Sequence, residues 1–172
     1  MWYGIGLLYD RYASFDHAEE AFSNVLYIDP NHRKKNEIYF RLGIIYKQQK
    51  KYAHSIACFE YILDSPPEPL TRANIYTQIG YVHEVAGDYV KARESFEMVL
   101  QEEPESPKVL LQLGYIHSVH NSRIRDLDRA QYYIDKALSI GMMRAFFFAD
   151  ERPKRSASMV LSRTILYAAS KL

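Results

Sequence analysis

Residues 2–30, WYGIGLLYDRYASFDHAEEAFSNVLYIDP, decide the fold, because their pattern returns along the chain at fixed spacing. An aromatic residue lies four positions before a glycine, a second aromatic lies three positions after it, and a small residue, a phenylalanine and a proline follow. These residues are Trp2, Gly6, Tyr9, Ala18, Phe22 and Pro30. The intervals of three and four residues are typical of amphipathic helices. The proline lacks a backbone donor and is expected to end the second of two helices.

The same order of residues occurs three more times. The second and third copies each begin 37 residues after the preceding one, and the fourth begins 34 residues after the third. The repeated positions are Gly43, Tyr46, Phe59 and Pro67, then Gly80, Ala92, Phe96 and Pro104, then Gly114 and Ala130. The fourth copy keeps this register only if about four residues near 122–125 are treated as an insertion. A unit of this length repeated in tandem indicates a repeat protein.

The order W-x2-L-G-x2-Y, A-x3-F, P is the tetratricopeptide repeat (TPR) pattern. It predicts an all-α protein, a right-handed TPR superhelix (α-solenoid) in which each repeat is a pair of helices, A and B. We divide 1–140 into four repeats, at about 1–35, 36–70, 71–105 and 106–140. Helices are predicted near 2–13, 16–28, 36–49, 52–64, 71–86, 89–102, 106–119 and 127–140. The tail 141–172 diverges from the pattern, and its apolar stripe at 156–171 predicts a capping helix.

Composition and charge exclude several classes of function. The 172 residues include 22 Lys+Arg and 21 Asp+Glu, so there is no basic excess to bind nucleic acid or an acidic membrane. The single cysteine, Cys58, is expected in the core, which fits an intracellular protein. His117 and His120 are three residues apart, but no acidic or thiol ligand joins them, so no metal site is predicted. Because catalytic and phosphate-binding motifs are missing, we expect no enzyme, cofactor or small-molecule substrate.

A protein-binding groove is the functional feature that a TPR array predicts. The A-helix positions that usually line it carry apolar and aromatic side chains alternating with cations and an amide. The predicted groove residues are Tyr3, Leu7, Arg11, Phe40, Arg41, Ile44, Lys47, Gln78, Tyr81, Leu111 and Tyr115. Aromatic side chains are enriched among interface residues that dominate binding energy, so the groove is expected to bind a helix or an aliphatic strand.

Longer stretches resemble one particular group of TPR proteins. Residues 2–22, the segment NEIYFRLGIIYKQQKKY at 36–52 and the segment YILDSPPEPL at 61–70 resemble the TPR subunit of fungal general transcriptional corepressors. The TPR region of JmjC histone demethylases is similar too. The first resemblance implies a nuclear, non-catalytic adaptor whose partners are a WD40 corepressor and sequence-specific repressors, without direct contact to DNA.

Two alternatives remain open. One is the TPR module of a histone-modifying complex of the JmjC demethylase type. The other is a chaperone adaptor in the cytoplasm or a peroxisomal adaptor, because the chain ends in Ser170-Lys171-Leu172, a peroxisomal address. The carboxylate clamp of TPR co-chaperones is not found at the corresponding positions, which include Tyr3, Leu7 and Arg41.

Overall fold

The computed structural model of the protein describes residues 1–119 and 123–149. This part of the chain forms eight α-helices and no strand. The helices are α1 (Trp2–Arg11), α2 (Phe15–Ile28), α3 (Lys35–Gln48), α4 (Tyr52–Tyr61), α5 (Arg72–Val85), α6 (Tyr89–Glu102), α7 (Pro107–Ser118) and α8 (Leu127–Ala149). All eight predicted helices are confirmed, and with them the predicted all-α class.

Two helices end three or more residues away from their predicted ends. Helix α4 ends at Tyr61. The next two amides, those of Ile62 and Leu63, donate to carbonyls three residues back, so the chain continues as a 3₁₀-type turn and not as an α-helix. Helix α8 passes Ile140, where repeat 4 was predicted to end, and continues to Ala149. No proline occurs between Leu127 and Ala149 to stop it. The predicted capping helix at 156–171 and the C-terminal Ser-Lys-Leu lie outside the described residues.

The chain divides into two compact units, Met1–Asp88 and the part from Tyr89 onward. In the first unit, α1 packs with α2 and α3 with α4, while α2 also packs on α3 and α4 on α5. The repeat glycines allow the close approach within each pair. A Cβ added to Gly6 would lie 2.7 Å from ring carbons of Phe22, so that position has room only for glycine. Helix A and helix B of this repeat therefore cross closely at the glycine.

Two hydrophobic clusters in this unit each join a B helix to the A helix that follows it. Ala18, Phe22 and Val25 of α2 pack with the apolar face of α3. The equivalent residues are Phe59 of α4 and Ile62, which directly follows α4, and they pack with the apolar face of α5. Cys58 is buried at the first cluster, as predicted, and burial raises the pKa of its thiol to about 11. Each B helix thus covers the A helix of the following repeat.

The turn from helix A to helix B has the same backbone geometry in three repeats. Ala13, Lys50 and Gly87, which lie seven residues after their repeat glycines, have φ of 55°, 61° and 82°. In each turn the next amide donates to a carbonyl five residues back, as from Ser14 to Tyr9 at 2.9 Å. This is a Schellman ending, which normally uses glycine at the left-handed position. Only the third repeat has glycine there.

The second unit contains α6, α7 and α8. A Cβ on Gly114 would lie 2.7 Å from Cγ1 of Ile134, so this glycine also marks a close helix pair. Gly6 and Phe22 are 16 residues apart, whereas Gly114 and Ile134 are 20 apart, which confirms the predicted insertion of about four residues. His117 is 1% exposed, and its ring lies 5.7 Å from that of Tyr133. Its imidazole Nδ1 hydrogen bonds to the carbonyl of Ile124 at 3.0 Å.

Within the described ranges, none of the helices is both long and apolar enough to cross a membrane.

Candidate protein-binding face

The predicted groove residues lie on A helices, and nine of the eleven belong to the first unit. We call these nine the A-helix face. They are Tyr3, Leu7 and Arg11 on α1, Phe40, Arg41, Ile44 and Lys47 on α3, and Gln78 and Tyr81 on α5. The other two, Leu111 and Tyr115, lie on α7 of the second unit and are described separately below.

Polar contacts join successive A helices at the A-helix face. Nη1 of Arg41 donates to the carboxylate of Asp10 at 2.8 Å, which links α3 to α1. Nζ of Lys47 donates to Oε1 of Gln78 at 3.3 Å, which links α3 to α5. Asp10 and Lys47 each lie four residues after a repeat glycine, and Arg41 and Gln78 each lie two residues before the next one. The same two repeat positions thus form a salt bridge between α1 and α3, and a hydrogen bond from a lysine to a neutral amide between α3 and α5.

Glu37 is the centre of a second set of contacts on α3. Its carboxylate accepts hydrogen bonds from Arg41 at 3.2 Å and from Lys34 at 3.0 Å, and the hydroxyl of Tyr3 faces it. Burial alone would raise the pKa of Glu37, but the hydrogen bonds outweigh it and lower that pKa. Burial and Glu37 raise the pKa of Tyr3. Arg41 therefore has two carboxylate partners, which hold its guanidinium group in one position.

The apolar residues of the face are half-buried, because they also pack on the core. The ring of Tyr3 lies 6.3 Å from that of Phe22 and 5.9 Å from that of His32. The ring of Phe40 meets that of Phe59 edge-on at 5.8 Å. Leu7 and Ile44 also pack against the hydrophobic clusters beneath them. These side chains thus present only one edge to solvent, on a rigid support.

Arg11 is the most exposed member of the face, at the last turn of α1. Its position also suits the negative end of the helix dipole. Arg41 and Lys47 lie on the same face beside the half-buried aromatic and aliphatic edges, and Asp10 and Glu37 balance the charge of Arg41. The face therefore combines apolar edges with paired and exposed charges, a combination that suits a protein ligand.

The two predicted residues on α7 are also half-buried. Leu111 packs on the cluster of Leu110, Ala137 and Ile140. The carbonyl of Tyr115 accepts a hydrogen bond from the Ser118 hydroxyl at 2.7 Å. Their role in binding stays a prediction.

Sequence patterns missed the contacts of the A-helix face and the anchoring role of His117. His117, considered from the sequence as a metal ligand, is buried at 1% exposure. Its hydrogen bond to Ile124 could not be predicted, because the insertion has no counterpart in the other repeats. His120, the other half of the histidine pair, lies outside the described residues. Among residues 1–119 and 123–149, no group of three or more His, Cys, Asp or Glu side chains could hold a metal ion.

The helix pairs, the glycine crossings and the residue pattern define the class: the chain has the all-α fold of a TPR solenoid. The tetratricopeptide repeat family model matches residues 1–32 and 37–68. Among solved structures, MamA from Desulfovibrio magneticus RS-1 superposes with a TM-score of 0.68 at 20% identity, covering 83% of this chain and 75% of that one. Another crystal structure of MamA gives a TM-score of 0.55 at 20% identity, over 82% of this chain and 96% of that one. These structures share the fold.

Curated relatives point to one group of TPR proteins. The chain is 66% identical over 41 residues to the general transcriptional corepressor CYC8 of Saccharomyces cerevisiae, and these residues are 24% of this chain and 4% of that protein. It is 67% identical over 39 residues to the general transcriptional corepressor ssn6 of Schizosaccharomyces pombe, 23% of this chain and 4% of that one. It is 63% identical over 38 residues to the general transcriptional corepressor trfA of Dictyostelium discoideum, 22% of this chain and 3% of that one. The resemblance predicted from the sequence is therefore confirmed, over a short stretch of much longer relatives.

Proposed function

We propose that this chain is a non-catalytic adaptor in transcriptional repression that holds a partner protein on its A-helix face. The observation that carries the proposal is the identity of 63–67% to three general transcriptional corepressors over about 40 residues. The fold supports the general part of it, since TPR arrays bind proteins through the surface that their A helices line. The place of action is then the nucleus.

The chemistry of the face supports a protein ligand. The half-buried edges of Tyr3, Phe40 and Ile44 offer apolar contact area whose side chains are already ordered by the core, which lowers the entropic cost of binding. Arg41 is fixed by Asp10 and Glu37, so it can orient a polar group of the ligand. The near balance of 22 basic and 21 acidic residues gives no general attraction to phosphates. A bridge between DNA-bound repressors and a WD40 corepressor fits these properties.

Affinity capture tests the proposal. The chain is immobilised as bait for a fungal nuclear extract, and the retained proteins are identified by mass spectrometry. Retention of a WD40 corepressor or of sequence-specific repressors is the expected result. Retention of chaperones, peroxisomal proteins or a histone demethylase complex in their place would contradict the corepressor role.

A pair of variants then tests the A-helix face with the proteins retained by wild type. The face variant combines Arg11→Ala with Phe40→Leu, which keeps most of the apolar volume packed on Phe59. The control is Tyr27→Ala, which truncates an aromatic side chain that is 86% exposed on a B helix. We expect the face variant to retain its partners at least about tenfold more weakly, and Tyr27→Ala to retain them like wild type. Equal retention by all three proteins would exclude the A-helix face.

A further inference from the structure

The turn between α4 and α5 carries a serine that is followed by two prolines. Residues 62–71 connect the two helices, and Ser65 within them is exposed. Pro66 and Pro67 come next, and a residue before a proline favours extended backbone. Protein kinases of the proline-directed class bind an extended segment in which a proline directly follows the acceptor serine. The sequence and the exposure of this turn therefore meet the requirements of such a kinase.

A second serine–proline pair lies in a different setting. Ser106 immediately precedes α7, and Pro107 is the first residue of that helix. The turn before α7 is three residues shorter than the turn before α5, because the glycines of repeats 3 and 4 are 34 residues apart and those of repeats 2 and 3 are 37 apart. The residues after Ser106 are thus helical and cannot extend into a kinase unless α7 unwinds. Ser106 is therefore a matched comparison for Ser65.

Ser65 contacts the start of α3. Nδ2 of Asn36 donates to the Ser65 carbonyl at 2.7 Å and lies 3.4 Å from the Ser65 hydroxyl oxygen. Asn36, the turn 31–35 before it, and Pro67 and Glu68 after Ser65 line one cleft of about 670 Å³. This volume leaves room for a phosphate group on Ser65 to extend toward the turn before α3.

The cleft contains more cations than carboxylates. Its charged lining residues are Arg33, Lys34, Lys35, Glu37 and Glu68. Lys34 already donates to Glu37 at 3.0 Å. Within the part of the chain that the structure describes, Arg33 and Lys35 form no ion pair; Nζ of Lys35 lies 5.9 Å from the centroid of the Tyr61 ring, and Arg33 is exposed. These two cations can turn toward an added anion without breaking a salt bridge.

We propose that Ser65 is a phosphorylation site for a proline-directed serine kinase, and that its phosphate binds Arg33 and Lys35 of the preceding inter-repeat turn. In the reaction, the Ser65 hydroxyl oxygen forms a bond to the γ-phosphorus of ATP, and the bond from that phosphorus to the bridging oxygen of the β-phosphate breaks. ADP leaves, and the catalytic base of the kinase takes the hydroxyl proton. The proposal does not depend on the corepressor role.

The cations are needed because the serine has acidic neighbours. Asp64 directly precedes Ser65, and Glu68 follows three residues later. Both carboxylates oppose a phosphate, which brings a charge of about −1.5 to −2 at pH 7. The phosphate oxygens accept charge-assisted hydrogen bonds, which arginine and lysine can both donate. Phosphorylation would therefore link the turn before α3 to the turn before α5 and reverse the net charge of the cleft.

Kinase treatment of the full chain tests the site. The chain is incubated with ATP and a purified, activated mitogen-activated protein kinase, and the modified residues are mapped by mass spectrometry. We expect Ser65 to be the main site. Ser65→Ala should take up at least about tenfold less phosphate than wild type and Ser106→Ala as much as wild type, because exposed turns are open to modifying enzymes. A standard substrate protein shows that the kinase is active, and the peptide 60–70, EYILDSPPEPL, shows whether the sequence alone is a substrate.

Phosphorus NMR tests whether the two cations bind the phosphate. The second pKa of the phosphoserine is measured by titration of the phosphorylated chain, because nearby cations stabilise the dianion and lower that pKa. We expect the pKa to be higher in the double variant Arg33→Gln, Lys35→Gln than in wild type. The control is Arg123→Gln, Arg125→Gln, which removes two exposed cations at the same spacing from the second unit and should leave the pKa unchanged.

Three results would overturn the proposal. The first is a chain in which the active kinase leaves Ser65 unmodified, whether or not the peptide is a substrate. The second is equal modification of Ser65 and Ser106, which would show that the exposed turn is not what selects the site. The third is a phosphoserine pKa that is the same in wild type and in the Arg33→Gln, Lys35→Gln variant, which would show that these cations do not bind the phosphate.

Discussion

Gly43 lies directly against the ring of Phe59, so that a Cβ on this glycine would be 2.7 Å from Cε1 and Cζ of the ring. Phe59 is fully buried, and its ring also contacts the ring of Phe40. The Phe59 ring therefore has little freedom to move away from the glycine. The same relation holds between Gly6 and Phe22. The glycine and the phenylalanine therefore recur together in these two repeats because the ring fills the space that the glycine leaves.

Gly43→Ala is expected to destabilise the protein. The added methyl group forces the Phe59 ring out of place, which typically costs about 1–3 kcal/mol, and the gain of up to about 1 kcal/mol in helix propensity offsets only part of it. Gly4→Ala is the matched control, because nothing lies within 4 Å of a Cβ at Gly4 in α1. It is expected to leave stability unchanged or raise it by up to about 1 kcal/mol. Urea unfolding followed by circular dichroism measures both, and equal effects would show that the crossing is not tight.

The sequence was sufficient to predict the helices and their pairing into repeats, because both depend on residues at fixed spacing within a repeat. Gly6, Phe22 and Pro30 occupy repeat positions at which few other residues fit equally well. The extension of α8 past Ile140 was not predicted, since the end of repeat 4 was placed by analogy with the earlier prolines. A helix that has no proline or glycine stop signal continues as long as its residues favour the helical conformation.

The A-helix face was predictable as a set of positions but not as a set of contacts. The salt bridge of Arg41 with Asp10 depends on how one repeat is placed against the next, which single-repeat patterns do not contain. The half-burial of Tyr3 and Phe40 likewise depends on the rings of Phe22 and Phe59 beneath them. Side chains that line a surface and support a core at once cannot be told apart from core residues by hydrophobicity alone.

Lys50→Gly is expected to stabilise the protein. Lys50 ends helix α3 with φ 61°, a conformation that costs an ordinary residue about 1–2 kcal/mol, and glycine adopts it freely. The greater entropy of glycine in the unfolded chain reduces the gain to about 0.5–1 kcal/mol. Ala13→Gly, with φ 55° in the equivalent turn, should act in the same direction. Gln48→Gly, two residues earlier and still helical, is the control and should lower the thermal midpoint.

Acid is expected to destabilise the first unit in part through Glu37. Its pKa in the folded chain lies below the value of 4.5 that applies when it is unfolded. A carboxyl group with a lowered pKa contributes stability that is present above the unfolded pKa and lost as the pH falls through the folded one. The fall in the free energy of unfolding below about pH 4.5 should therefore be smaller in Glu37→Gln than in wild type. Glu60→Gln, at an exposed position of α4, is the control; an unchanged acid profile in Glu37→Gln would contradict the assignment.

Cys58 is expected to be nearly inert in the folded protein. Burial raises the pKa of its thiol from 9.0 to about 11, which reduces the thiolate fraction at pH 8 roughly a hundredfold, and the thiolate is the reactive form. Reaction with a disulfide reagent such as DTNB should therefore be at least about a hundredfold slower in the native protein than in urea. The rate in urea serves as the internal control. A native rate close to the unfolded one would show that α4 opens readily at this position.

His117 is expected to hold the lengthened turn of repeat 4 in place. Its Nδ1 contacts the carbonyl of Ile124 at 3.0 Å, and its own carbonyl accepts a hydrogen bond from the amide of Asp126, also at 3.0 Å. His117→Phe keeps the aromatic packing on Tyr133 but removes the donor, so the hydrogen bond to the Ile124 carbonyl is lost at a cost of about 0.5–1.5 kcal/mol. Amide hydrogen exchange should show faster exchange at Asp126, while the amide of Val25 in α2 stays protected. Loss of protection at both amides would mean that the substitution unfolds the chain as a whole, and unchanged exchange at Asp126 would mean that the turn does not depend on the histidine side chain.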